Sequence, residues 1–452
     1  MQRKIAVTGL GVISPIGNDM ESFWGALLRG ESGAGPVTRF DASRLDSKIA
    51  AEVKGFDPGL WMDKKESRKM GLFSQYAVAA SVQAWRDAGL ADEGFRATGG
   101  EAAAAMAGSD VIKAEGGADA ARMAESRALS SSYDGERTAI CLGNGIGGLE
   151  VFQDSHAKLL ESGPDRMPPM TVPLMIANEA AANVAMRLGI RGPAYTQVTA
   201  CASGTDAIGQ AIDLLRSGRA DIVVAGGTEA AITEFAMGGF CRLKALTTRR
   251  NDEPKKASRP FDADRDGFLI GEGAGIMILE DYERAKARGA RIYALASGYG
   301  ATCDAYHLTA PHPEGIQGSR ALALALEDAG LKPSEVGYYN AHGTSTQLND
   351  PTETAMVKKT FGDAVHQLKI SSTKSMTGHC LGATGAIEAI VCVKAIETGY
   401  LPPTINLDNP DIAAGCDLDY IPNKAIHHPI EAALTASLGF GGHNGALAFR
   451  RA

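Results

Sequence analysis

Apolar positions along the chain fall into short continuous runs separated by stretches of helical spacing. Lys4–Thr8, Thr138–Leu142, Tyr195–Thr199, Asp221–Ala225, Met277–Leu279, Ile292–Gly298, Gly337–Ala341 and Lys369–Ser372 read as buried strands. Phe73–Asp87 reads as a helix whose Ala77, Ala80, Ser81 and Ala84 form a small-residue packing face. Asp281–Arg288, Arg320–Ala329 and Thr384–Thr398 are further helices. After the strand at Tyr195–Thr199 comes a turn of small residues holding Cys201, then an amphipathic helix. Its Ile208, Ala211, Ile212 and Leu215 recur at i, i+3, i+4 and i+7, with Gly218 where a C-terminal cap belongs. Lys369–Ser372, a loop and the helix Thr384–Thr398 mirror this strand–turn–helix unit, so the chain contains a half-repeat. Strands and helices alternate throughout, which predicts α/β layers with largely parallel strands.

The length of 452 residues permits a large core, and 44% hydrophobic with 22% charged residues is a globular composition. From about Arg96 to Glu136 the composition shifts to Ala, Gly, Ser and Glu. This stretch reads as a surface insertion, with Ala118–Leu129 able to form a helix. A net charge of −8, with no basic run interleaved with aromatics, argues against nucleic acid as a partner. No run of eighteen apolar residues is present, so no membrane span is expected. The N-terminus reads as a first strand and not a signal peptide. Seven scattered cysteines without a CxxC pair fit neither a disulfide framework nor a zinc site, and reduced thiols point to the cytoplasm.

Three motifs invite over-reading. Gly9-Leu10-Gly11 lacks the third glycine of a dinucleotide fingerprint, and Pro15 falls where its helix should run. The glycines of Gly143–Gly148 lack the Lys-Ser or Lys-Thr of a phosphate loop. Phe261–Gly267 opens like a calcium loop but has Gly273 where the bidentate Glu is needed, so it reads as a turn with aspartates bonding backbone N–H groups.

The chemistry centres on Cys201. At a helix N-terminus, partial positive charge and free N–H groups are expected to lower its pKa, and Ala200, Ala202 and Gly204 leave room for a substrate. His342 and His379 both lie at strand ends in loops of small residues, where function collects in α/β proteins. Glu388 is an acid amid apolar helix positions and needs a partner, for which Lys374 is the obvious candidate. Leu438-Gly439-Phe440-Gly441-Gly442 places an aromatic between glycines, able to swing and with exposed N–H groups. A thiolate, two neutral imidazoles and backbone donors suit acyl transfer through a thioester, with decarboxylation of a malonyl thioester supplying a carbon nucleophile.

These residues sit in motifs that run nearly end to end: VTGLGVISPIGN, GNGIGGLE, RGPAYTQVTACASGTDAIG, RPFDADRDGFLIGEGAG, NAHGTSTQLND, SSTKSMTGHCLGATGAIEA and GFGGHNGALAF. In them the chain resembles the elongating β-ketoacyl-acyl-carrier-protein synthases of the type II class, in the thiolase superfamily. The resemblance implies a five-layer αβαβα duplication, with residues 1–290 carrying the cysteine half and 291–452 the histidine half. Cys201 would be acylated. His342 and His379 would support decarboxylation, with Lys374 and Glu388 ordering them. The N–H groups of Cys201 and Phe440 would form the oxyanion hole, with Phe440 as gate. Thr344 and Thr346 would contact the phosphopantetheine arm. Ile146, with Leu438, would line the acyl pocket, a bulky residue at 146 going with the synthase II subgroup. The state implied is a homodimer, the partner an acyl carrier protein, and no cofactor is needed beyond the carrier's arm.

An acidic carrier requires a local basic patch. Lys64, Lys65, Arg68 and Lys69 form one candidate, and Arg249, Arg250, Lys255 and Lys256 another. The chain departs from the family pattern at Leu438 (usually Phe), Ala436 (usually Asn), Cys380 (usually Leu) and Gln347 (usually Pro). A synthase of a specialised polyketide or lipid pathway is the alternative. A thiolase would need a second catalytic cysteine near the C-terminus, and a non-catalytic partner subunit would lack Cys201.

Overall fold

The computed structural model describes residues 3–91 and 133–452. Most of the insertion expected over 96–136, and the helix expected at Ala118–Leu129, lie outside the described residues. Ten strands form the main sheet system: β1 (Ile5–Ile13), β2 (Thr138–Gly143), β3 (Ala194–Gln197), β4 (Ile222–Glu229), β5 (Gly273–Asp281), β6 (Ala294–Cys303), β7 (Tyr338–Asn340), β8 (Lys369–Ser371), β9 (Ala432–Gly439) and β10 (His443–Arg450). Their spatial order is β8-β7-β9-β10-β6-β1-β5-β4-β2-β3. The first five strands are therefore arranged third, second, fourth, fifth, first, and the last five repeat that order. The two halves meet where β1 and β6 pair, at Ala6 with Leu295 and Val7 with Ala294.

The expectation of largely parallel strands is corrected. β2 with β3 and β4, and β7 with β8 and β9, are parallel, but the five pairings from β4 through β5, β1, β6 and β10 to β9 are antiparallel. Each half thus has a parallel outer part and an antiparallel inner part. Sequence periodicity misses this because both faces of these strands are covered. In β4, Val223 and Ala225 enter the central core while Ile222 and Val224 enter an outer one. In β5, Met277 and Leu279 alternate likewise with Ile276 and Ile278.

Among the described residues, six of the helices complete five layers. The helices α1 (Leu72–Asp87) and α2 (Glu179–Leu188) cover the outer face of the first half, and α4 (Ile316–Ala329) with α5 (Asn349–Phe361) cover the second. Between the halves lie α3 (Ser203–Arg216) and α6 (Thr384–Thr398), each touching strands of both. Ile208, Ala211, Ile212 and Leu215 of α3 are fully buried, and Ile387, Ile390, Val391 and Val393 of α6 nearly so. Each middle helix is preceded by a short 3-10 turn, Ala200–Ala202 or Leu381–Ala383. Each turn starts on a non-glycine residue in the left-handed region, Ala200 at φ 51° and Leu381 at φ 44°. Such a conformation costs on the order of 1 kcal/mol and persists where the surroundings over-determine it. The Phe261–Gly267 segment is the expected structural turn: Asp262 accepts the N–H groups of Asp264, Asp408 and Asn409, and Asp266 those of Thr248 and Arg249.

Candidate active site

Cys201 sits at the end of the β3 connection, in the 3-10 turn that leads into α3. The turn is held by Ser203, whose Oγ accepts the Thr199 N–H at 2.9 Å and donates to the Ala200 carbonyl at 2.7 Å. Asp206, one turn into α3, accepts from Thr199 Oγ1 at 2.6 Å and from Tyr299 of the other half at 2.9 Å. The backbone around Cys201 is thus fixed from both sides of the molecule.

The histidine half meets it there. His379 Nε2 lies 3.0 Å from Cys201 Sγ, and its Nδ1 is 3.0 Å from Thr384 Oγ1, the first residue of α6. The His342 ring stands perpendicular to His379, with centroids 5.3 Å apart. Cys201, His342 and His379 bring their donor atoms within 4.8 Å of one another, and this is the cluster among the described residues able to hold a metal ion. The loop that carries His342 is tied down by Glu353 of α5. One carboxylate oxygen accepts the His342 N–H at 2.6 Å and the Tyr339 hydroxyl at 2.7 Å, and the other accepts the Gly343 N–H at 2.7 Å.

Lys374 and Glu388 form the buried pair expected of them, Nζ to Oε1 at 2.5 Å, both side chains about 2% exposed. Burial raises the Glu388 carboxyl, against the pull of Lys374. The same ammonium acts on the histidines. Burial first, then the Lys374 charge, hold both His342 and His379 well below their ordinary value, so both rings are neutral near pH 7. A neutral imidazole has one N–H, and the Thr384 hydroxyl serves either tautomer of His379, accepting from an Nδ1–H or donating to a bare Nδ1.

The expectation of a lowered Cys201 pKa is corrected. Burial pushes the thiol up to about 11, and the carboxylate of Glu229 adds to the rise. The Lys374 charge and the N–H groups of Phe440 and Cys201 pull the other way without overcoming burial. A helix N-terminus is not enough when the sulfur is withdrawn from water. The resting group is a thiol with an imidazole nitrogen in reach. The two amides expected to form an oxyanion hole both act on this sulfur.

Cys201, His342, His379, Thr344, Thr346, Ile146, Leu438 and Phe440 line one cavity of about 390 Å³. Thr344 Oγ1 and Thr346 Oγ1 are 3.0 Å apart on its wall. Phe440 occupies the β9–β10 turn, followed by Gly441 and Gly442 at φ 87° and 79°, a backbone open to glycine alone without strain. Lys374 and Glu388 lie behind the histidines and not in the cavity. Lys64, Lys65, Arg68 and Lys69 are exposed, on and just after the short helix Lys64–Ser67. Cys380 is buried away from the cavity, its Sγ toward the carbonyls of Glu272 and Thr377. Sequence reasoning missed Thr384, Glu353 and Glu229. The last of these carried the signal that exposed Glu388, an acid closing an apolar run.

A five-layer duplicated fold with a cysteine on a strained turn, two neutral imidazoles and converging amides defines a thioester-handling acyltransferase of the thiolase-like class. Comparison with known proteins narrows this. The profile of the beta-ketoacyl synthase N-terminal domain matches residues 2–130 and 118–285, and that of the beta-ketoacyl synthase C-terminal domain matches residues 293–408. The chain is 46% identical over 450 residues to the 3-oxoacyl-[acyl-carrier-protein] synthase 2 of Synechocystis sp., covering all of this chain and 98% of that one. Among solved structures it resembles the ishigamide ketosynthase/chain length factor, with TM-score 0.86 and 35% identity over the whole of both chains. It also resembles a type II PKS acyl-carrier protein in complex with its ketosynthase bound to the hexaketide, with TM-score 0.84 and 32% identity over the whole of both chains. The chain belongs to the β-ketoacyl synthase family and is a condensing enzyme of the acyltransferase class.

Proposed function

We propose that the protein extends acyl chains by two carbons, condensing an acyl group held on Cys201 with malonyl-acyl carrier protein. The observation that carries this is the 3.0 Å approach of His379 to Cys201, with His342 beside it, at one cavity. In the first step the sulfur attacks the acyl carrier thioester and its proton passes to His379 Nε2. The new S–C bond forms, the carrier sulfur leaves and takes that proton, and the oxyanion is held by the N–H groups of Cys201 and Phe440. In the second step the malonyl thioester loses carbon dioxide. Its enolate oxygen accepts from the Nε2–H of His342 and from that of His379, now in its other neutral tautomer with Thr384 Oγ1 donating to the bare Nδ1, and the carbon attacks the acyl-sulfur carbonyl. Cys201 leaves as thiolate and takes one proton from water to return to its resting thiol, and the 3-oxoacyl chain remains on the carrier. Burial first, then the Lys374 charge, keeps both rings neutral between steps.

Thr344 and Thr346 would steady the carrier's arm, Phe440 would gate the cavity, and Ile146 and Leu438 would bound the acyl chain. Lys64, Lys65, Arg68 and Lys69 are proposed to dock the acidic carrier. The similarity to a carrier-bound ketosynthase supports a carrier partner. A homodimer is part of this reading, and the edge strand β3 supports it, with Tyr195 40% and the adjoining Val198 57% exposed at the end of the sheet. So is a cytoplasmic location. Among the described residues no helix is long and apolar enough to cross a membrane. The halves are taken as 1–290 and 291–452, and no cofactor is invoked beyond the carrier's arm.

The second reading is a ketosynthase of a specialised polyketide or lipid pathway, favoured by Leu438 on the cavity wall and by the ketosynthase/chain length factor similarity. The buried Cys380 disfavours a thiolase, and the presence of Cys201 disfavours a non-catalytic subunit. The test is intact mass after incubation with acyl carrier thioesters, followed by malonyl-carrier. An acyl adduct on wild type, absent from Cys201→Ser and discharged on malonyl addition, is expected. A wild type that takes no acyl group rejects the reading.

A further inference from the structure

Glu229 closes β4 and is fully buried, yet among the described residues its carboxylate is met by N–H groups and not by a basic side chain. One oxygen accepts the Gly145 N–H at 2.8 Å and the Gly382 N–H at 3.0 Å. The other accepts the Ile146 N–H at 3.3 Å and Asn144 Nδ2 at 3.4 Å. Asn144 to Ile146 belong to the loop after β2, in the cysteine half. Gly382 belongs to the 3-10 turn after His379, in the histidine half. The two backbones are nearly touching: a Cβ on Gly382 would lie 2.4 Å from the Gly145 nitrogen, and one on Gly145 would lie 2.6 Å from the Glu229 carboxylate.

Ile146 and Leu381, one from each loop, line the cavity beside Cys201. Leu381 is the residue held in the left-handed region, which requires outside restraint. The bond from its neighbour Gly382 to Glu229 is such a restraint. We propose that Glu229 is a positioning residue whose carboxylate clamps the Ile146 loop to the Leu381 turn and thereby sets the width of the acyl-binding part of the cavity. This rests on the acyl-transfer reading above.

The clamp depends on charge, because a protonated carboxyl turns one acceptor oxygen into a donor facing N–H groups. Burial pushes Glu229 up to about 7, against the N–H groups of Gly382, Gly145 and Ile146, with Glu150 of the helix Leu149–Ser162 adding to the rise. Cys201 and Cys380, titratable neighbours of the site, feel the same charge. The carboxylate form, and with it the closed clamp, therefore prevails above neutral pH and is lost as pH falls.

The experiment uses the full-length protein, Glu229→Gln and Glu229→Asp, short and long acyl carriers, and intact mass to follow Cys201 acylation between pH 6 and 8. In wild type the long-to-short preference should change as pH falls through 7. In Glu229→Gln, with an amide N–H2 against two N–H groups, the KM for the long acyl carrier should rise about tenfold more than for the short one. Its preference should no longer vary with pH. Malonyl decarboxylation should fall no more than about threefold. Glu229→Asp keeps the charge on a shorter arm and should retain the pH response, which covers the case of a poorly folding Gln variant. An unchanged preference with an intact pH response in Glu229→Gln overturns the inference, as does decarboxylation falling in step with acylation. A wild type that is not acylated fails earlier and refutes the parent reading.

Discussion

Replacing Thr384 by Val tests whether one hydroxyl serves both proposed chemical steps. The side chain is 3% exposed, so valine keeps its shape and removes only the Oγ1 that lies 3.0 Å from His379 Nδ1. In the proposed acylation His379 would become an imidazolium, with its Nδ1–H donating to that oxygen. A hydrogen bond from a charged donor is worth about 1.5–3 kcal/mol, which at about 1.4 kcal/mol per decade predicts a loss of about 10–150-fold in acylation. During decarboxylation the ring stays neutral, with Nε2–H aimed at the enolate, and the lost bond is worth about 0.5–1.5 kcal/mol. That is a loss of about 2–12-fold. The assay compares Cys201 acylation by stopped-time mass spectrometry with carbon dioxide release from malonyl-carrier in a Cys201→Gln background, where the amide stands for an acylated sulfur. Thr384→Ser should restore both. Equal losses in the two steps, or a greater loss in decarboxylation, would refute the assignment of His379 as proton acceptor for Cys201.

Three further outcomes follow from the same geometry. Since burial sets the Cys201 thiol at about 11, its thiolate fraction should grow about tenfold per pH unit. Iodoacetamide labelling of Cys201, read by peptide mapping to separate it from the exposed Cys303, should then climb from pH 7 to 9 without levelling, and a plateau by pH 8 would restore the lowered-pKa expectation. Lys374→Met strands the buried Glu388, so stability to denaturant should drop by about 3–5 kcal/mol, while the Lys374→Met, Glu388→Met double variant should recover most of it. Leu438→Phe fills part of the cavity wall and should shift the acyl optimum to shorter chains, with about tenfold or more lost on the longest substrate; an unshifted optimum in an acyl-carrier series removes Leu438 from the determinants of length.

The cluster of Cys201, His342 and His379 was legible in the sequence because each member sits where local rules single it out. Cys201 lies between a strand and an amphipathic helix, and His342 and His379 end strands in loops of small residues. The Lys374–Glu388 pair was legible because a charge in an apolar run must be matched. Strand direction was not legible. The alternation that distinguishes an exposed face disappears when Ile222 and Val223 are both buried against different layers. Glu353 and Thr384 were hidden for another reason. They act through contacts with residues that the chain brings near only on folding, and nothing in their own neighbourhoods marks them. The Cys201 pKa was misjudged because helix position is read from sequence, whereas the degree of burial is a property of all five layers together.

The repeat of strand order has a consequence for the integrity of the whole chain. Since α3 and α6 each touch strands of both halves, neither half owns a finished interior. Cut apart, each would present a bare sheet face and the flank of its middle helix to water. Chain cleavage between them therefore threatens solubility before it threatens chemistry.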